Sequence, residues 1–246
     1  MDDRSDNARL GQPVPGWTAP PRPPRKAMRG RYCTVEPLSA SLQAVELHRA
    51  NAADPAIWDY LPYGPFDTPG AYQRWVREME ASDDPLFFAV CPNASGRAAG
   101  VMSYLRIAPE AGSIELGHIN LSAELQRTQA ATEAMTLMIG WAFQAGYRRF
   151  EWKCNALNHA SRRAAERLGL SYEGVFRQAA VIKGRNRDTA WFAAIDSEWP
   201  SLKAAYAAWL APENFDAGGR QILSLGELTR DILVSADPVL AGSVGC

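Results

Sequence analysis

Three strand-like segments follow one another in the middle of the chain, with only turn residues between them. They are LFFAVC from Leu86, AAGVMSYLRIAP from Ala98 and SIELGHINLS from Ser113. Each segment is rich in apolar residues and is bounded by residues typical of turns. Three such strands in a row predict a β-sheet, and the rest of the chain must pack on it.

Helical patterns and further strands surround this run. Apolar residues recur at helical spacing after Ser39, after Thr68-Pro69, from Arg127 to Ala145 and after Asn158. Further strands are predicted in RYCTVEPL, RRFEWKCN, SYEGVFRQAAVIKG and RDTAWFAAID, and a last helix from Leu202 to Leu210. The order β-α-α-β-β-β-α-β-α-β-β predicts a mixed α/β (α+β) fold.

The two ends of the chain differ from this regular part. Six of the seventeen prolines fall between Pro13 and Pro24, which excludes helix or central strand there. Residues 1–30 are therefore interpreted as an arm, which Trp17 pins to the domain or which serves as a Pro-rich ligand for another protein. The folded domain is expected over residues 31–200, and residues 201–246 form a helix and a weakly patterned tail.

Composition excludes several classes of protein. Apolar residues make up 47% of the chain, charged residues 22%, and the net charge is −1. This balance argues against a nucleic-acid-binding or disordered chain, and no apolar run is long enough for a membrane span. The polar N-terminus does not resemble a secretory signal. Scattered cysteines without a CxxC pair predict reduced thiols in a cytoplasmic protein and no metal site: Cys33, Cys91, Cys154 and Cys246.

The stretch from Ser113 to Ala134 leads from a strand through a short polar loop into a helix. The first N–H groups of a helix lack partners and carry partial positive charge, so such a junction can bind a phosphate. The stretch contains neither a GxxxxGK loop nor a GxGxxG motif. Most strand-loop-helix junctions bind no ligand, so the junction by itself is only weak evidence for a phosphate site.

Four runs of sequence together resemble the GNAT superfamily of acyl-CoA-dependent N-acetyltransferases, and within it the branch of ribosomal-protein serine/alanine N-acetyltransferases. The runs are SIELGHI, LQRTQAATEA, NHASRRAAERLGLSYEG and RDTAWFAAIDSEWP, and they occur in the family's order within residues 31–200. The resemblance implies a mixed, mostly antiparallel sheet of about seven strands flanked by helices. It also implies an enzyme that acetylates a primary amine with acetyl-CoA as the acyl donor.

The resemblance implies where acetyl-CoA binds. The strand containing SIELGHINLS should part from the strand containing RRFEWKCN, and the pantetheine arm should pair with the backbone of Ile119, Asn120 and Leu121. The remaining implied cofactor-binding residues are Gln126, Arg127, Thr128, Gln129, Ala130, Ala131, Thr132 and Asn158. Gln129 stands where relatives have a loop glycine, and its side chain would crowd a phosphate if its φ were positive. Arg162, Arg163 and Arg167 form either a phosphate-binding face or a solvated one.

Two residues are the catalytic candidates. Glu115 lies on the strand where many relatives have their base, and Ser161 lies where relatives have the proton donor for the leaving thiolate. Each also has a structural interpretation, as an ion-paired glutamate and as a helix-start residue. The sequence QAA at Gln178 replaces a glutamate found in some relatives. His118 is three residues from Glu115, so strict alternation predicts that it faces the opposite side of the sheet.

The acceptor site is predicted between YLPYGPF and KGRNRD. The substrate-binding candidates are Tyr60, Tyr63, Phe66, Arg185 and Arg187. An aromatic wall with a cationic rim predicts a small-molecule or peptide amine with a nearby acidic group, and Asp188 can pair with one of the cations. The alternatives are a core-plugging loop with a solvated hairpin and, for the whole chain, a non-catalytic CoA-binding module. Nucleic-acid and membrane partners are not expected, and the chain is expected to be a monomer or a homodimer.

Overall fold

The computed structural model describes residues 10–241, which build one eight-stranded sheet with helices on both faces. The strands are β1 (Met28–Arg29), β2 (Cys33–Pro37), β3 (Leu86–Pro92), β4 (Gly100–Ala108), β5 (Ser113–Leu121), β6 (Arg149–Asn155), β7 (Ser171–Ile182) and β8 (Arg185–Ile195). Their order across the sheet is β1-β2-β3-β4-β5-β6-β8-β7. All neighbours are antiparallel except β5 and β6, which are parallel.

The five longest helices lie where the periodic patterns predict them, whereas two short helices lie in the C-terminal tail, where no helix is predicted. The helices are α1 (Ala44–Asn51), α2 (Pro69–Glu80), α3 (Gln129–Gln144), α4 (His159–Arg167), α5 (Trp199–Leu210), α6 (Leu225–Thr229) and α7 (Pro238–Ala241). Short 3-10 turns connect several of these elements. The predicted mixed α/β architecture is confirmed. The sequence predicts about seven strands because β1, with two residues, is too short to leave a periodic pattern.

Two hydrophobic clusters cover the two faces of the sheet. The larger packs α3 and α5 against inward-facing residues such as Phe150 and Phe192. The smaller packs α1, α2 and the loop between them against Phe87 and Val101. α3 is buried on almost every side, as expected for a helix with mostly apolar residues.

A buried carboxylate joins α3 to the turn between β1 and β2. Glu133 accepts hydrogen bonds from the backbone N–H groups of Arg31, Tyr32 and Cys33, at 2.8, 2.6 and 2.9 Å. A β-carbon on Gly30 would lie 2.3 Å from this carboxyl group, so a larger residue there would displace the carboxylate from its three N–H donors. The start of the sheet is therefore fixed to the helix whose N-terminus enters the candidate site.

The Pro-rich arm is held against the end of the sheet. Trp17 lies over Gly112, and the guanidinium of Arg148 is 5.5 Å from the centre of its ring. The hydroxyl of Tyr147 donates to the Pro21 carbonyl at 3.1 Å. The predicted anchoring by Trp17 is confirmed.

The C-terminal segment corrects the prediction of a basic face on α4. Arg162 is buried and donates to both carboxylate oxygens of Asp237, at 2.6 and 2.5 Å. Arg167 donates to Thr132 Oγ1 at 3.1 Å, and Arg163 alone of the three is exposed. The prediction fails because the tail carries no strong pattern, so its return to α4 is not visible in the sequence.

Three of the cysteines, Cys33, Cys91 and Cys154, are buried free thiols, while Cys246 lies outside the described residues. No helix within residues 10–241 is long and apolar enough to cross a membrane.

Candidate active site

β5 and β6 pair along only part of their length. Ser113 to Leu116 pair with Arg149 to Trp152, and the pairing stops there. β5 then continues to Leu121 on β4 alone, and β6 continues to Asn155 on β8 alone. The predicted parting of these strands is confirmed, and it leaves residues 117–121 without a strand partner on the side facing β6, where Gln126 Nε2 donates to the Leu121 carbonyl at 3.0 Å. An extended ligand can pair with such an edge.

α3 begins at the open end of this gap. Its N-cap is Thr128, whose Oγ1 accepts a hydrogen bond from the Ala131 N–H group at 3.1 Å. The Thr132 N–H group bonds to the Thr128 carbonyl, whereas the N–H groups of Gln129 and Ala130 have no partner within residues 10–241 and can bond to an outside acceptor. Together with the helix dipole, this arrangement suits a phosphate group.

The loop before α3 resolves the question raised by Gln129. The residue with left-handed backbone is Arg127, at φ +61°, whereas Gln129 is the first helical residue. The Gln129 side chain is therefore attached to ordinary helical backbone, and the predicted crowding does not arise. The residues fit a pyrophosphate at this junction.

His118 is placed differently from its predicted position. Its φ is +50°, and the pairing of β5 with β4 shifts between Gly117 and Asn120, which marks a β-bulge. The imidazole packs on Phe87 and Tyr63, with ring centres 5.2 and 5.5 Å away. Phe87 lies on the same face of the sheet as Glu115, since both follow the register through Ser103 and Leu105. The expectation that His118 faces away from Glu115 is wrong, because a bulge resets the alternation.

Glu115 is a buried carboxylate held by two cations. It is 3% exposed and lies 2.7 Å from Arg106 Nη1 and 2.9 Å from Lys153 Nζ. Burial raises its pKa above the ordinary value of 4.5, and the two cations oppose that rise. A carboxylate with a raised pKa is a better proton acceptor than a solvated one. The structural and the catalytic interpretation of Glu115 are therefore compatible.

Lys153 extends this pair into a chain of charges across the sheet. Its ammonium also lies 2.7 Å from Glu151 and 3.8 Å from the centre of the Trp191 ring. Glu151 bonds to Arg149, which in turn bonds to Glu173. Sequence reasoning misses Lys153 and Trp191 as site residues. The only available signal is that Lys153 and Glu151 occupy alternate positions of RRFEWKCN and so share a face.

Ser161 and Asn158 lie at the start of α4. Asn158 caps the helix by accepting the Ser161 N–H group at 3.0 Å, so its structural interpretation is realised. Ser161 Oγ accepts the indole N–H of Trp152 at 3.0 Å. Trp152 faces the larger hydrophobic cluster, whereas Glu115 faces the opposite side of the sheet. The two catalytic candidates therefore flank the gap between β5 and β6 from opposite faces.

Each of the two loops predicted to bound the acceptor site contacts a segment near the other loop or near α4. Lys183 Nζ donates to the Trp58 carbonyl at 2.8 Å, and the Tyr60 hydroxyl donates to the Leu157 carbonyl at 3.2 Å. Tyr63 packs between Trp75 and His118, with ring centres 4.4 and 5.5 Å away. Phe66 packs on Trp58 in the smaller cluster, as the core-plugging interpretation expects.

The hairpin arginines differ in their surroundings. Arg185 is exposed beside the turn, whereas Arg187 is partly buried and its Nε lies 3.3 Å from Thr189 Oγ1. Asp188 accepts hydrogen bonds from the Gln178 and Asn186 nitrogens. The expected pairing of Asp188 with a cation of this turn is not seen in the described structure, because the bulge at Gln178 presents a closer N–H donor.

Comparison with known proteins agrees with this geometry. A sequence profile of the acetyltransferase (GNAT) domain matches residues 34–171. A GCN5-related N-acetyltransferase from Brucella melitensis is 47% identical with a TM-score of 0.86, over 88% of this chain and 100% of that chain. A probable acetyltransferase (GNAT family) from Chromobacterium violaceum is 40% identical with a TM-score of 0.73, over 77% of this chain and 96% of that chain. No protein with a curated function matches.

A more distant structure shares the fold alone. The microcin C7 self immunity acetyltransferase MccE, in complex with acetyl-CoA and AMP, is 20% identical with a TM-score of 0.61, over 68% of this chain and 93% of that chain. The family assignment depends on the profile, which covers more than half of the chain, and on the two structures above 30% identity. The chain therefore belongs to the GNAT acetyltransferase family.

Proposed function

We propose that this protein transfers the acetyl group of acetyl-CoA to a primary amine by direct attack on the thioester. The observation that carries the proposal is the gap between β5 and β6, which opens beside the free N-terminus of α3. The backbone of Ile119 to Leu121 would pair with the pantetheine arm, and within the junction from Arg127 to Thr132 the N–H groups of Gln129 and Ala130 would hold the pyrophosphate.

The amine must lose a proton in this reaction. Its nitrogen forms a bond to the thioester carbon, the carbon–sulfur bond breaks, and the free thiol of CoA leaves. A lysine-type amine has a pKa of about 10.4 and an α-amino group one of about 8, so a base is needed near neutral pH. Glu115 is the proposed base, directly or through a water molecule. Its burial raises its pKa, which favours proton transfer.

Two other groups complete the proposed chemistry. The bulge at His118 turns a backbone N–H group of β5 out of the regular ladder, and this group is the proposed donor to the carbonyl oxygen. Ser161, across the gap, is the proposed proton donor to the thiolate. The buried free thiols of Cys33, Cys91 and Cys154 suit a cytoplasmic setting, which is part of the proposal.

The test measures two quantities on the same preparation. Acetyl-CoA should raise the melting temperature by mass action, and amines should release free CoA thiol at a rate that saturates with amine. A thermal shift without thiol release from any amine would favour a non-catalytic CoA-binding module. Absence of both at millimolar acetyl-CoA would overturn the proposal.

A further inference from the structure

The charges beside Glu115 form a balanced chain. Its three cations are Arg106, Lys153 and Arg149, and its three carboxylates are Glu115, Glu151 and Glu173. Each member contacts at least one partner of opposite charge. The chain therefore has no spare charge with which to attract a ligand.

Arg187 lies on the same face but outside this chain. It occupies alternate positions of β8 with Thr189 and Trp191, and the Trp191 ring lies under Lys153. Its only hydrogen bond within residues 10–241 is the one between Nε and Thr189 Oγ1, and no carboxylate in that range forms an ion pair with it. Burial lowers the pKa of Arg187, Cys154 and Glu115 oppose that shift, and the charge of Arg106 adds to it. A partly buried guanidinium of this kind lacks its natural partner.

Polar groups beside Arg187 also lack partners. The Tyr63 hydroxyl, His118 Nδ1 and Trp191 Nε1 are buried and form no hydrogen bond within the described structure. Tyr63 stacks on His118, and the charge of Arg187 acts on His118. Buried polar atoms without partners are rare in folded proteins, and here two on the sheet and one on the loop packed against it lie on the same side as Arg187.

We propose that Arg187 binds a carboxylate of the acceptor, so that the acceptor is an amino acid or short peptide with its acidic group close to the amine. This inference rests on the proposed function. A carboxylate carries one negative charge and matches the Arg187 guanidinium, which has no ion-pair partner within residues 10–241 and can bind it through two parallel hydrogen bonds. The Tyr63 hydroxyl, His118 and the Trp191 indole then supply further polar contacts.

The test compares matched acceptors. Amino acids and dipeptides whose carboxylate is two to five bonds from the amine are each assayed beside the corresponding carboxamide, by CoA thiol release. The carboxamide has the less basic amine and therefore more of the reactive neutral form, so a preference for the acid cannot come from the amine. We expect kcat/KM for the best acid to exceed that of its amide by about 10- to 100-fold.

Substitutions of Arg187 test whether this residue causes the preference for the acid over the amide. Arg187→Gln should raise the acceptor KM for the acid and leave the amide and the acetyl-CoA KM unchanged. Arg187→Lys should restore part of the preference, because the charge stays but the fork of donors is lost. The matched control is Arg177→Gln, which removes an exposed arginine from the neighbouring strand β7 and should change neither substrate.

The outcomes separate the two proposals. Amides acetylated as well as acids, or an equal loss for both in Arg187→Gln, would overturn this inference and leave the proposed function intact. Thiol release from no amine at all removes the proposed function and the inference with it.

Discussion

The ammonium of Lys153 lies 2.9 Å from a carboxylate oxygen of Glu115 and joins β5 to β6 where the two strands part. Lys153 is buried with Glu115, and it lies one residue beyond the last β6 residue that pairs with β5. The same ion pair therefore holds the closed end of the gap and sets the charge environment of the proposed base.

Replacing Lys153 by methionine should move the pH dependence of the reaction. Glu115 would stay buried with Arg106 as its remaining close cation, and its pKa should rise further. The other charged or titratable groups near it, Glu151, His118 and Arg187, keep their places. The charge of Glu151, no longer offset by Lys153, raises the Glu115 pKa in the same direction. Because the base must be ionised, the acidic limb of kcat/KM against pH should move to higher pH by about one unit. An unmoved limb would assign the base to another group.

Glu115→Gln should lower kcat by about 10²–10⁴-fold, because the amide cannot accept the proton. The thermal shift given by acetyl-CoA should change little. Glu151→Gln is the matched control, since it removes the next carboxylate of the same ion-pair chain. We expect the control to lose stability but to keep its turnover. Equal losses of turnover in both variants would show that Glu115 contributes through its ion pairs and is not the base.

His118 makes the stability of the fold sensitive to acid. Burial and the charges of Arg106 and Arg187 lower its pKa from 6.5 to about 4. Between pH 6.5 and about 4, His118 is therefore protonated in the unfolded chain but neutral in the folded protein. The free energy of unfolding falls as the pH is lowered through this range. The loss for this one group is at most about 1.4 kcal/mol per pH unit.

Urea unfolding at several pH values measures this contribution. His118→Asn is the suitable variant, because asparagine tolerates the left-handed backbone at φ +50°. The variant should show a shallower loss of unfolding free energy over this range. If its slope matches that of the wild type, His118 is not the responsible group.

Glu133→Gln should destabilise the protein by about 1–3 kcal/mol. An amide has one oxygen in place of two, so it cannot accept all three N–H groups of the turn before β2. Denaturant unfolding measures the change. Glu110→Gln, on the exposed turn before β5, is the control and should stay within about 0.5 kcal/mol of the wild type. A loss no larger than that of the control would contradict the assigned role.

Sequence patterns predict most of this fold, since its long elements follow clear periodicities of 2 or 3.6 residues. They miss features that depend on a single residue or on distant contacts. The bulge at His118 is a single residue at positive φ inside an otherwise regular strand pattern, yet it reverses the face on which that side chain lies. The pairing of Arg162 with Asp237 depends on a tail with no periodic pattern. The charge chain through Lys153 depends on which strands become neighbours, and no local stretch of sequence predicts the order of strands in a sheet.

Ser161→Ala separates the structural and the chemical role of that hydroxyl. The substitution leaves the largely buried Trp152 indole N–H without its acceptor, so the free energy of unfolding should fall by about 1–3 kcal/mol. Turnover should fall less than in Glu115→Gln, because a thiolate leaves without help more readily than an amine reacts without a base.

A double-mutant cycle isolates the structural part. In a Trp152→Phe background the donor is already absent, so Ser161→Ala should cost much less stability there. The fall in turnover should be the same in both backgrounds if Ser161 acts on the leaving thiolate, since that action does not involve the indole. A turnover loss that disappears together with the stability loss would show that Ser161 acts only by holding Trp152, and the proton donor would then have to be sought elsewhere along the gap between β5 and β6.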